Sequence, residues 1–148
     1  MEVNMEIVFR KTADLKPYKN NPRINDKAIE PVMNSIKKFG YVSPIIVDED
    51  GVILAGHTRI QALKRMGAEE AEVIVISGLT EEERKSYRIA DNRTREFARW
   101  DGNLLEIEMR EINADDWAQF GFKENEVKKF KPDNMCKCPK CGQTFVRV

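Results

Sequence analysis

Apolar and polar positions alternate with two different periods along this chain, and the switches between them outline a small α/β protein. Residues 6–10 (Glu-Ile-Val-Phe-Arg) are short and β-prone. Pro17 and Pro22 then hold a polar loop, and Pro22 pushes Asn21 out of helical backbone. Ile29, Val32, Met33, Ile36 and Phe39 recur at helical spacing, which predicts a helix over 27–39 with Asp26 as N-cap and Gly40 as its stop. Pro31 falls near its first turn, where a missing N–H costs little. A strand is expected over 41–47, a hairpin turn at Asp48-Glu49-Asp50-Gly51 and a returning strand at Val52-Ile53-Leu54.

Past Ala55-Gly56-His57, Ile60, Leu63 and Met66 mark a helix over 58–66 that Gly67 ends. Residues 72–76, nearly all Val and Ile, read as a further strand. Thr80 and Glu83 have the spacing of a capping box, and the helix they open is expected to end near Ala90. Asp101 caps another helix carrying Leu104, Leu105, Met109 and Ile112. Trp117, Phe120 and Phe122 are expected along the core edge, with a last short helix over 124–130. Composition turns to Lys, Pro, Asn and Cys after Lys131, so the expected division is a domain over 1–131 and a tail over 132–148.

The chain's 148 residues suffice for one ordinary hydrophobic core. Lys plus Arg and Asp plus Glu both number 25, so any basic surface must come from local clustering. No apolar run approaches the roughly 20 residues of a membrane helix, and residues 1–6 lack the basic and apolar regions of a secretory signal. The three cysteines fall within six residues of one another. That grouping is too local for a disulfide framework and points to a reducing cytoplasm.

The chemistry concentrates in Val52–Gly67. A strand runs into Gly56, a polar pair and Arg59 at the start of a helix, where free backbone N–H groups and the helix dipole favour an anion. Gly56 allows close approach of a phosphate, Thr58 offers a hydroxyl and Arg59 a fork for two phosphate oxygens. The same pattern also serves as an ordinary strand-to-helix turn. His57, the single histidine, suits a phosphate or acid–base role or a hydrogen bond to a neighbouring carbonyl. Arg84, Arg88, Arg93, Arg95 and Arg99 read equally as a solvated face paired with Glu81–Glu83 or as a DNA- or phosphate-facing patch.

Three boxes in order, Asn21-Pro22-Arg23, Gly56-His57-Thr58-Arg59 and Asp91-Asn92-Arg93-Thr94-Arg95, resemble the ParB N-terminal domain over roughly residues 7 to 100. The family's second box is Gly-Glu-Arg-Arg-x-Arg-Ala; Gly56, Arg59 and Ala62 match, and His57, Thr58 and Gln61 depart. Its third box is Glu-Asn-x-Gln-Arg; Asn92 and Arg95 match, Asp91 is a conservative change and Thr94 departs. The resemblance implies an α+β fold of the ParB/sulfiredoxin type, a small mixed sheet packed with helices. It also implies a nucleoside triphosphate site, for CTP or ATP with Mg²⁺, formed by Asn21, Arg23, Gly56, His57, Thr58, Arg59, Asp91, Asn92 and Arg95, with Asn92 and Asp91 near the metal. Sulfiredoxin shares the fold but carries its reactive cysteine where this chain has His57, which excludes thiol-based reductase chemistry.

Residues 88–108 are similar to ParB-like domains of phages and mobile elements, which often accompany DNA methyltransferases. The implied function is a DNA-binding module, non-enzymatic or weakly hydrolytic, in phage or mobile-element DNA metabolism beside a methyltransferase. About 30 residues separate the resemblance from the cysteines, too few for the usual operator-reading helix-turn-helix module. The rival is an enzyme of the same fold: a phosphotransferase similar to free-serine kinases, with Glu30 or His57 as base, or a metal-dependent nuclease.

The tail holds Cys136, Cys138 and Cys141, and Cys-Pro-x-Cys-Gly is the knuckle of a zinc ribbon. Zinc takes four ligands, so Asp133, His57, water or a second chain must complete the set. Two knuckles from two chains would supply four thiolates in a homodimer. From Lys123 onward seven basic residues face three acidic ones, which suits nucleic acid.

Overall fold

A computed structural model describes residues 3–111, 117–123, 135–137, 139–141 and 144–146. They divide into two compact units, Met1–Arg99 and Trp100–Val148. The first unit carries strands β1 (Asn4–Lys11), β2 (Ile45–Asp48), β3 (Ile53–Ala55) and β4 (Glu70–Ser77), with helices α1 (Ile29–Phe39), α2 (His57–Arg65) and α3 (Glu81–Glu96). In the second lie α4 (Gly102–Glu111) and a two-stranded antiparallel sheet of β5 (Met135–Lys137) and β6 (Thr144–Val146). Trp117 packs edge-on against Phe120 and Phe122 within that second unit. The expected helix over 124–130 and the composition change at Pro132 lie outside the described residues. Among the described residues no helix is long and apolar enough to cross a membrane.

The main sheet has the order β1-β4-β2-β3. β4 pairs antiparallel with β1 and parallel with β2, and β3 returns antiparallel to β2, so the sheet is mixed, as expected. Alternation decides its faces. Ala71, Val73 and Val75 of β4 join Ile45 and Val47 of β2 in the core, where Ile60 and Leu63 of α2 close over them. α1 packs against α2.

Of the boundaries that differ from the sequence expectation, three have a clear local reason. Residues Asp26–Ala28 form a 3₁₀ turn, and the α-helix starts at Ile29 without a side-chain cap. A helix begun at Lys27 would need the N–H that Pro31 lacks to bond back to the Lys27 carbonyl. β2 begins at Ile45 rather than at residue 41; Pro44 cannot donate to a ladder, and the Ile45 N–H enters the sheet bonded to the Tyr41 hydroxyl at 2.7 Å. α3 runs six residues past Ala90 to Glu96, because nothing after Ala90 breaks a helix and its polar side chains pair along it. Arg95 meets Asp91 at 3.1 Å and Arg93 meets Glu96 at 2.6 Å, the spacings at which helix neighbours face each other.

Asp48, expected only as a turn residue, is a buried anchor. Its Oδ1 accepts the N–H groups of Asp50 (3.1 Å) and Val52 (2.8 Å), closing the hairpin turn, and its Oδ2 accepts from Arg84 at 3.2 Å. Arg88 lies 3.9 Å from the same oxygen, while its Nε donates to the Ile53 carbonyl at 3.0 Å. Arg84 also pairs with Glu49 at 2.7 Å. These two arginines therefore tie α3 to the β2–β3 hairpin instead of pairing with Glu81–Glu83 or facing outward.

Candidate functional site

The turn from β3 into α2 builds the site. Gly56 is the N-cap with φ 103° and no side-chain cap, and α2 has no acidic residue in its first turn. The N–H groups of His57, Thr58 and Arg59 precede the first intrahelical bond, from Ile60 N–H to the Gly56 carbonyl, and so have no intrahelical partner. A Cβ at Gly56 would stand 3.2 Å from Ile45 Cγ1, so tight packing as well as backbone conformation favours glycine there.

A cavity of about 160 Å³ opens over this turn. Asn21 and Arg23 reach it from the loop before α1, Gly56 to Arg59 form its floor, and Asp91, Asn92 and Arg95 descend from α3. The nine residues expected at a nucleotide site thus lie around one concavity, because α3 continues where a loop was expected. Asn25, Val32, Leu54 and Ala55 line it too and were not expected as site residues. Glu30, the expected base of a phosphotransferase, is exposed on α1 and is not part of the lining.

Three guanidinium groups and one carboxylate give the cavity its charge. Arg23 Nη1 donates to Asn92 Oδ1 at 2.9 Å, bridging the loop to α3. Asn92 in turn donates to the Arg88 carbonyl at 2.8 Å, so its carboxamide orientation is fixed at both ends. Arg95 leans on Asp91. Arg59 departs from the sequence expectation: its Nη1 donates to the carbonyls of Ser43 (2.8 Å) and Pro44, holding the loop before β2.

His57 differs as well. Its Nε2 accepts the Tyr18 N–H at 3.2 Å, which defines a neutral ring with the proton on Nδ1. Burial lowers its pKa, and the positive charge of Arg88 lowers it further. Arg88 also stacks on the Tyr18 ring, 3.9 Å from its centroid. His57, Tyr18 and Arg88 therefore position the loop that carries Asn21 and Arg23. Tyr18 was not expected here, and Arg88 was expected on a solvated or phosphate-facing patch rather than under a loop.

Magnesium takes oxygen ligands, one or two carboxylates supplemented by phosphate. Asp91 offers one carboxylate and Asn92 one carboxamide oxygen beside the turn, and in this structure the two are engaged by Arg95 and Arg23. Among the described residues no group of three His, Cys, Asp or Glu side chains forms a metal cluster. Of the expected zinc ligands, Cys138 lies outside the described residues, Cys136 is described only as backbone in β5, and Cys141 is an exposed free thiol.

A family model described as the ParB N-terminal domain matches residues 2–93. The ParB-like nuclease domain-containing protein YnaK of Escherichia coli strain K12 is 37% identical over 86 residues, covering 57% of this chain and 99% of that protein. The uncharacterized protein ORF326b of Acidianus two-tailed virus is 36% identical over 55 residues, 37% of this chain and 17% of that protein. A probable chromosome-partitioning protein ParB of Campylobacter jejuni is 29% identical over 96 residues, 63% of this chain but only 32% of that protein. Among solved structures, the C-terminally truncated ParB of Caulobacter crescentus complexed with CTP-gamma-S superposes with a TM-score of 0.68 at 22% identity, covering 84% of this chain and 76% of that one.

Proposed function

We propose that this chain, which belongs to the ParB N-terminal domain family, binds the phosphates of a nucleoside triphosphate in the cavity over Gly56 and contacts DNA. The observation that carries the reading is the α2 N-terminus: three backbone N–H groups without an intrahelical partner behind a left-handed glycine, in a cavity that Arg23, Arg59 and Arg95 also line. Helix N-termini and guanidinium groups both suit phosphate. CTP is the first nucleotide to test, because the Caulobacter ParB that shares the fold was crystallised with a CTP analogue; ATP is the second. An accompanying Mg²⁺, which would neutralise phosphate charge, would be held by Asp91 and Asn92 once they exchange their bonds to Arg95 and Arg23 for the ion.

The reading is of binding, not of phosphoryl transfer. Glu30 stands away from the cavity lining and the His57 Nε2 lone pair is engaged, so neither is placed as a base. Contact with DNA rests on family membership and on the partitioning role named for the Campylobacter relative. A viral or mobile-element setting is in keeping with the viral relative; association with a methyltransferase rests on the resemblance of residues 88–108 alone. Zinc at Cys136, Cys138 and Cys141 rests on the Cys-Pro-x-Cys-Gly spacing and is tested by metal content with and without chelator.

The functional test is calorimetric titration with CTP, ATP, GTP and UTP in Mg²⁺, each repeated with duplex DNA present. Saturable binding of one triphosphate, weakened in Arg95→Ala, supports the reading. Absence of binding by all four nucleotides, with the fold intact, overturns it.

A further inference from the structure

Strand β1 is the free edge of the main sheet, and it carries an apolar row. Val3, Met5, Ile7 and Phe9 are 49%, 73%, 64% and 72% exposed. Alternation puts these odd residues on one face, the one opposite the core. Beside them on β4, Ile74 stands directly across from Ile7, and Ile46 of β2 stands across from Ile74. Only one edge of β1 is paired among the described residues. The Thr12 N–H continues the β4 ladder by donating to the Glu69 carbonyl at 2.9 Å. In an antiparallel ladder the paired groups alternate, so the even residues of β1 turn their N–H and C=O toward β4. Met5, Ile7, Phe9 and Lys11 turn theirs outward along the open edge. Natural proteins blunt such edges or use them.

We infer that β1 is a homodimer interface: two copies pair β1 to β1 antiparallel, making one continuous sheet across a two-fold axis. The occupant is a second copy because the strand is complementary to itself. A two-fold axis perpendicular to the sheet keeps the faces aligned, which requires odd residues opposite odd ones and even opposite even. With Val8 on the axis, Ile7 faces Phe9 of the second copy on the apolar side. On the other side Glu6 faces Arg10 of the second copy, and symmetry makes that ion pair twice. The neighbouring register, with Ile7 on the axis, sets Glu6 against Val8 and Arg10 against Asn4. Charge therefore selects the first register. The surface lies on a different element from any residue of the nucleotide cavity, so this inference stands apart from the proposed function.

The test is sedimentation equilibrium of the full chain across a concentration series, with a chelator present so that the cysteine tail cannot link two chains. The expected species has twice the 17.1 kDa mass of one chain. Glu6→Arg and Arg10→Glu each place like charges opposite one another at both symmetric pairs, and each raises the dissociation constant about tenfold. The double variant, Glu6→Arg with Arg10→Glu, restores it. Hydrogen exchange supplies a second readout: the amides of Met5, Ile7 and Phe9 gain protection as concentration rises, while those of Glu6 and Val8 are protected throughout. A monomer at every concentration overturns the proposal. So does a dimer that neither single reversal weakens, or one that the double reversal does not rescue.

Discussion

Gly56→Ala isolates what the sequence asks of the turn beneath the cavity. At φ 103° an L-residue sits in a left-handed conformation that costs about 1–2 kcal/mol. The new Cβ would also stand 3.2 Å from Ile45 Cγ1 and 3.4 Å from Ile45 Cα, and Ile45 is fully buried beside its core neighbours. Overpacking of that kind adds about 1 kcal/mol or more, for a total near 2–3 kcal/mol. In a unit of this size such a loss lowers the melting temperature by about 10 °C or more. Gly67→Ala is the internal control. Gly67 also has positive φ (74°), but a Cβ there meets nothing within 4 Å, so only the conformational cost applies. Thermal and urea unfolding of both variants measure the difference, which reports the Ile45 contact alone. Equal losses in the two variants, or a Gly56→Ala protein as stable as wild type, would refute the packing account of the turn.

Asp48→Ala should be the most destabilising single change outside the apolar core, at about 3 kcal/mol, because it leaves the buried Arg88 without its nearby carboxylate, takes one of its partners from Arg84 and strands two turn N–H groups; urea unfolding checks it, and a loss below about 1 kcal/mol contradicts it. His57 gives stability a pH dependence of known sign. Its folded pKa is lowered, so the unfolded imidazole takes up a proton first as pH falls below about 6.5, and the contribution present above that value is lost as pH drops through the folded pKa. His57→Gln should flatten this part of the stability profile relative to wild type, and parallel profiles would sink the assignment. Arg23→Ala removes an exposed side chain and its bond to Asn92. It should change stability by less than about 0.5 kcal/mol while weakening triphosphate binding by about tenfold or more; equilibrium titration decides, and full affinity in this variant would show that Arg23 only bridges to α3.

Much of the fold was legible because apolar periodicity and punctuation agreed. The Val and Ile run of β4, the stripe of α2 and the Thr80–Glu83 capping box all read directly, and the box closes in both directions, with Thr80 N–H to Glu83 at 2.7 Å and Glu83 N–H to Thr80 at 3.2 Å. What could not be read was long-range polar pairing. Asp48 looks like any acidic turn residue until Arg84, 36 positions later, is folded against it. The end of α3 was hidden for a related reason: residues 91–96 are polar on every side, so no apolar stripe marks them, and i to i+4 pairs carry the helix onward. The site's membership followed from motif order, but its electrostatics did not. The engagement of Arg59 with the Ser43 carbonyl and of His57 with the Tyr18 N–H depends on where loops return, which spacing does not encode.

The central claim is that the α2 N-terminus holds phosphate, and the most direct test is a two-dimensional ¹⁵N NMR titration of the chain with CTP and with ATP, each with Mg²⁺. The account predicts saturable shifts at the backbone amides of His57, Thr58 and Arg59, the groups that precede the first intrahelical hydrogen bond, together with Arg23 and Arg95 side-chain signals. Shifts confined to other parts of the surface, or none at those three amides while the spectrum remains that of a folded protein, would contradict it.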